Sequence, residues 1–178
     1  MRNISEKQRI VIKLGTSTLA HKTGKLNIRR MTNLVRVISD LHNSGREIII
    51  VSSGAVGLGA GKLGLPEKPK DTKTKQAVAA IGQCELMHVY DDMFAKYSVT
   101  VAQILLTKTI INTPNHCENF MNTVEKLVGM DVIPIVNENE TNIAEYWNIA
   151  SVIDKFFSDR IESAQTCFAD ILAADTES

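Results

Sequence analysis

Lys13 closes an apolar, β-branched run, Ile10-Val11-Ile12, and is followed by Leu14, Gly15 and the hydroxyl residues Thr16, Ser17 and Thr18. A charge at the end of a buried strand costs desolvation unless something meets it. Glycine lets a ligand come close to the backbone. Hydroxyls and N–H groups bind oxyanions, and a lysine offers phosphoryl oxygens a compact positive charge. The chemistry this pattern suggests is recognition of a phosphate. The plainer reading is a lysine that snorkels past the strand end and meets only solvent.

Two further stretches have the same character. Ser52-Ser53-Gly54-Ala55 follows the apolar run EIIIV and would open a helix. Backbone N–H groups exposed there can hold a phosphate or a carboxylate, although an ordinary turn has similar composition. Asn137 to Thr141, NENET, follows DVIPIV. Its side-chain amides and the carboxylate of Glu140 suit an amino-acid ammonium group, and again a plain polar turn is the alternative. Gly59 to Gly64 matches GxGxxG, but a dinucleotide fingerprint must follow directly on its strand, and here the strand ends about seven residues earlier. A Walker loop fails as well, because Leu63 follows Lys62 and Val56 stands where the first glycine belongs. Close packing and a helix end are expected from those glycines instead.

The elements that must position these residues alternate in type. Ile10–Leu14, Glu47–Ser52, Val99–Leu106 and Asp131–Val136 read as buried strands. Asn27–Ser44 reads as a helix, with Ile28, Met31, Leu34, Val35, Ile38 and Leu41 on one face and Gly45 as its stop. Thr74–Lys96 reads as a long helix with Val78, Ile81, Leu86, Val89, Met93 and Phe94 as core. Thr113-Pro114 reads as the start of another, with Phe120, Val124, Leu127 and Val128 turned inward. Alternating strands and helices imply an α/β fold with a mainly parallel sheet. Ligands of such sheets bind beyond the carboxyl ends of the strands. KLGTS, SSGA, LLTKT and NENET all follow strands, so they are expected to line one crevice.

Whole-chain properties narrow the possibilities. The 178 residues suit one domain, with 44% hydrophobic and 22% charged residues. Formal net charge is zero, so neither nucleic acid nor an anionic membrane is an expected partner. The polar N-terminus, MRNISEKQR, argues against a signal peptide, and no segment approaches the roughly 20 apolar residues of a membrane span. Cys84, Cys117 and Cys167 are scattered, as are His21, His42, His88 and His116. No disulfide framework or metal site is expected, and a reduced, cytoplasmic setting is.

The stretches VIKLGTSTL, REIIIVSSGAVGLG, KQAVAAIGQCELM, AQILLT and VIPIVNENET, taken together, resemble the amino acid kinase family, and within it the members that act on L-glutamate. The resemblance covers Ile10 to about Thr141. It implies a three-layer α/β/α sandwich. It implies an ATP- and Mg2+-dependent transfer of the γ-phosphoryl group to the side-chain carboxylate of L-glutamate, the first step of proline synthesis, with the metal held through the nucleotide phosphates. Lys13 matches the family's catalytic lysine and, with Gly15, Thr16 and Ser17, its nucleotide-binding segment. Ser53, Gly54 and Ala55 match the substrate-holding turn. Asn137 matches the first residue of the family's Asn-Glu-Asn-Asp run, and Glu140 stands where that run has aspartate.

Beyond Thr141 the resemblance decays. In KFFSDRIESA, Asp159 takes the place of a catalytic acidic residue, with Ser158 in place of the asparagine before it. Thr176, with Glu177, falls on the family's Thr-Asp nucleotide motif. The expectation is a single domain over 1–178, well matched over 1–141, divergent over 142–178 and incomplete at its C-terminus, where the rest of the nucleotide-binding half would follow. A homo-oligomer is implied. Three alternatives stay open: a non-catalytic glutamate-binding or interaction module of the same fold, a family kinase acting on another acceptor, and, more distantly, a dinucleotide-dependent oxidoreductase.

Overall fold

A computed structural model of the chain describes residues 9–21, 23–107, 110, 112–138 and 161–163. The two β-branched runs form its centre. β1 (Arg9–Leu14) and β2 (Glu47–Ser52) lie side by side, parallel, with Lys13 opposite Val51 and Leu14 opposite Ser52. β4 (Val132–Glu138) pairs with the outer side of β2, and β3 (Thr100–Leu106) with the outer side of β4. β5 (Ile161–Ser163) pairs with β1, giving a five-stranded, all-parallel sheet in the order β3-β4-β2-β1-β5.

Strand side chains alternate between faces, and the two faces are covered by different helices. Ile10, Ile12, Leu14, Ile48, Ile50, Ile133 and Ile135 pack with Met31, Leu34, Val35 and Ile38 of α2 (Ile28–Asn43) and with Leu86, Tyr90 and Phe94 of α4 (Thr72–Ala95). Val11, Ile49, Val51, Leu106 and Val136 pack with Phe120, Met121, Val124 and Val128 of α5 (Pro114–Val128). The result is the expected three-layer α/β/α arrangement. A sheet buried on both faces needs continuous apolar strands, which is why β1, β2 and β4 read as unbroken β-branched runs.

Helix ends follow ordinary rules. Asn27 caps α2 by accepting the Arg30 N–H at 3.2 Å. α4 begins at Thr72, two residues earlier than its periodicity predicts, because the Asp71 carboxylate accepts the Thr74 N–H at 2.9 Å. Two residues placed on apolar faces by spacing are in fact exposed: Ile28 at the very start of α2, and Ile81 in α4. At Ile81 the inward position is taken by its neighbour, Gly82, which is buried. α3 (Ala55–Lys62) lies against α4 there. A Cβ on Gly59 would run into the Val78 carbonyl, and one on Gly82 into the Ala55 carbonyl. The expected close packing of the glycine stretch is therefore backbone against backbone.

The amino-terminal end of the sheet is closed by a charged clamp. Arg9, 7% exposed, donates from Nε to Glu47 at 2.6 Å and from Nη1 and Nη2 to the two carboxylate oxygens of Glu125 at 2.5 and 2.9 Å. It ties β1 and β2 to α5.

Candidate functional site

The carboxyl ends of β1 and β2 are joined by their own backbone. Ser53 donates its N–H to the Leu14 carbonyl at 3.0 Å, and its Oγ reaches the same oxygen at 3.1 Å. Gly15 is extended (φ −81°, ψ 160°) and opens the one-turn helix α1 (Thr16–Leu19), whose Thr18 N–H returns to the Gly15 carbonyl at 3.0 Å. Gly54 has φ +114° and begins α3. That left-handed conformation favours glycine; the space itself would admit a Cβ at ordinary contact distance, 3.5 Å from Thr16 Cα and 3.7 Å from Leu19 Cδ1. KLGTS and SSGA, 38 to 40 residues apart in sequence, therefore form one continuous rim. Ser53, Gly54 and Ala55 are partly exposed on it.

Lys13 is half-buried. Strand alternation places it on the same face as Val11, the face covered by α5. Ser52 and Asn137 lie on the opposite face, and both are met by α4. Ser52, fully buried, shares a hydrogen bond of 2.9 Å with the Tyr90 hydroxyl. Burial pushes the Tyr90 phenol well above its usual value, and the Ser52 contact only partly offsets this. Asn137, 4% exposed and opposite Ser52 in register, donates from Nδ2 to Oε1 of Gln83. Gln83 Nε2 is buried and has no hydrogen-bond partner among the described residues.

Of the candidate residues, the structure thus brings together Lys13, Gly15, Thr16, Ser17, Ser53, Gly54, Ala55 and Asn137 at one end of the sheet. Glu140, Asp159 and Thr176 lie outside the described residues. The segment after β3 ends the sheet's edge strand, three strands away from β1. Sequence reasoning missed Gln83 and Tyr90. The available signal was polar residues seven apart, two helical turns on one stripe, within a helix otherwise read for its apolar positions.

A cavity of about 700 Å³ opens beside the rim. Thr16, Ser17, His21, Asn27, Arg30 and Lys68 contribute its polar lining, and among the described residues no carboxylate lines it. Arg30 also donates to the Ser17 carbonyl at 3.0 Å, which fixes a cation next to the hydroxyl segment. The donor set suits an anion with several oxygens. Among the described residues it offers no hard oxygen-anion ligands for a bare divalent cation.

Residues 8–151 match the amino acid kinase family. The chain is 47% identical over 152 residues to glutamate 5-kinase of Clostridium perfringens, covering 85% of this chain and 56% of that protein. It is 50% identical over 142 residues to glutamate 5-kinase of Moorella thermoacetica, covering 80% of this chain and 38% of the relative. Among solved structures, UMP kinase from Ureaplasma parvum superposes with a TM-score of 0.48 at 16% identity, covering 74% of this chain and 56% of that one. The chain thus spans about half the length of the curated relatives it matches. With most of its length matched and the parallel α/β/α sandwich in place, the chain belongs to the amino acid kinase family.

Proposed function

We propose that the protein acts as a glutamate 5-kinase, phosphorylating the side-chain carboxylate of L-glutamate with ATP as donor. The observation that carries this reading is the shared rim. The hydroxyl-rich turn after Lys13 and the Ser53-Gly54 turn meet on the Leu14 carbonyl and on Gly54, so a phosphoryl donor and a carboxylate acceptor bound to the two turns would lie next to each other. Transfer of a phosphoryl group rests chiefly on positioning and on stabilising charge. Lys13 supplies that charge. Thr16, Ser17, Arg30 and Lys68 offer donors to the polyphosphate, and Mg2+ would arrive on the nucleotide, since the described residues of the cavity present no carboxylate to it.

Ser53 has a double task on this reading. Its hydroxyl proton is committed to the Leu14 carbonyl, so towards the ligand it acts as an acceptor, as an ammonium group requires. Glu140 supplies the neutralising carboxylate.

The test is calorimetric titration of the 178-residue chain with L-glutamate and then with Mg-ATP, followed by an assay for phosphate transfer. Binding of both with turnover is the expected result. Glutamate binding without turnover would reduce the chain to an amino-acid-binding module, and failure to bind glutamate would remove the reading. Lys13→Ala should lower turnover by about 100- to 1,000-fold, the scale of losing one preorganised charge-stabilising group, with glutamate affinity within about twofold. Unchanged turnover would deny Lys13 its role.

A further inference from the structure

The polar contacts of α4 with the strand ends are of two kinds. Ser52 and Tyr90 are two hydroxyls that share one hydrogen bond, in which either can be the donor, fully out of water. Asn137 and Gln83 are two side-chain amides joined by one hydrogen bond. Each amide carries two N–H donors, so a single bond between them always leaves donors over. Here the surplus is concrete: Gln83 Nε2 is out of contact with solvent and without a partner among the described residues. An unmade hydrogen bond of this kind is costly, so each one in a folded protein calls for an explanation, and a ligand that completes it is one.

We propose that Gln83 is a substrate-recognition residue, whose Oε1 orients Asn137 and whose Nε2 donates to the α-carboxylate of the amino-acid substrate. The assignment rests on the glutamate reading above. Two placements support it. Asn137 stands at the carboxyl end of β4, opposite Ser52 at the end of β2, so Gln83 reaches the same rim as the Ser53 turn. Finally, Gly82 lets α4 approach the Ala55 carbonyl at the start of α3, which carries the adjacent residue, Gln83, up to the turn that holds the substrate.

The surplus group is a donor, so the site selects an acceptor. A carboxylate fits it, and a carboxamide in the same place fits only if its oxygen faces Gln83. A site built to hydrogen-bond one group discriminates strongly against analogues that leave it unpaired.

Gln83→Glu separates the two tasks of this side chain. A carboxylate oxygen still accepts from Asn137 Nδ2, so the positioning contact survives, while the donor is replaced by an acceptor. The experiment titrates the parent chain and Gln83→Glu with L-glutamate, with its α-amide (isoglutamine) and with L-glutamine, whose amide is on the side chain. The parent is expected to prefer L-glutamate to the α-amide. In Gln83→Glu, L-glutamate affinity is expected to fall about tenfold or more, the α-amide to lose much less, and L-glutamine to fall in step with L-glutamate, because both keep the α-carboxylate. Thermal melting before titration checks the fold, and Gln83→Met, which removes the donor without adding charge, should show the same narrowing between L-glutamate and its α-amide. Unchanged L-glutamate affinity in Gln83→Glu would overturn the role of Gln83 alone. Equal losses for all three ligands would reduce it to a structural residue. A parent chain that binds none of them would overturn the glutamate reading itself, and this assignment with it.

Discussion

The two ends of the sheet bury polar groups by opposite strategies. At the amino end, Arg9 is surrounded by two carboxylates and its donors are used on β2 and α5. Burial alone would disfavour its charge, but the hydrogen bonds and proximity of Glu125 and Glu47 outweigh that, and the guanidinium holds its proton more tightly than usual. At the carboxyl end the buried groups are neutral and held in pairs, and Gln83 Nε2 has no partner among the described residues. A closed arrangement fixes architecture. An open one leaves a donor for a group that arrives later. The difference separates the Arg9 clamp from the Asn137–Gln83 pair, while Ser39 Oγ and His42 Nδ1, away from the rim, are likewise buried without a partner among the described residues.

The largest effect that would test this contrast is steric. Gly82→Ala would drive a Cβ into the Ala55 carbonyl, which is backbone and cannot swing aside. α3 and α4 would have to separate, taking the Ser53-Gly54 turn away from Gln83. The expected loss is more than about 4 kcal/mol, in the range reserved for changes that the core cannot absorb, and the check is urea unfolding followed by circular dichroism. A loss under about 1 kcal/mol would mean that the carboxyl end has slack, and that the open donor of Gln83 is looseness rather than design.

Much of this arrangement was legible in the residues themselves. β1 and β2 announce themselves as β-branched runs, and Gly15 and Gly54 mark where the chain turns over the strand ends. Those local signals suffice for the rim, because each one acts within a few residues of where it is written. Gln83 and Tyr90 are different. Their burial depends on where β4 and β2 end, 54 and 38 residues away in the chain, and nothing within α4 records that. Ile81 shows the same limit from the other side: spacing favours it as core, yet a glycine takes the inward position because α3, from a different part of the chain, packs on that stripe. Periodicity reports which face is apolar, not which neighbour will press on it.

The amino end offers the next effect in size. Arg9→Met removes the centre of the clamp. Breaking a buried ion pair costs about 3–5 kcal/mol when the orphaned charge stays buried. Here the orphans are Glu47 and Glu125, whose side chains are 38% and 47% exposed and can rehydrate, so the expected cost is about 2 kcal/mol. Denaturant unfolding measures it. Affinity for L-glutamate should not change, because the clamp lies at the opposite end of the sheet. A large fall in affinity at temperatures where Arg9→Met remains folded would show that the two ends are coupled, and the contrast between clamp and site would lose its force.

The smallest effect probes the Ser52–Tyr90 pair at the carboxyl end. Tyr90→Phe keeps the ring in its place against Phe94 but removes the hydroxyl bound to Ser52, at an expected cost of about 1 kcal/mol near neutral pH. The pH dependence gives the sharper reading. The folded protein raises the Tyr90 pKa, chiefly by burial, so as pH rises the unfolded chain ionises first, near the usual phenol value of about 10. Stability contributed by the buried neutral phenol is therefore fully present below about pH 10 and is lost above it. Phenylalanine cannot ionise, so the stability gap between parent and Tyr90→Phe should narrow, and then reverse, as pH climbs past about 10. Other tyrosines and lysines titrate equally in both proteins and cancel in the difference. A gap that stays constant through that range would mean that Tyr90 reaches water in the folded state, in which case the Ser52 pair is not closed and belongs with Gln83 to the open part of the site.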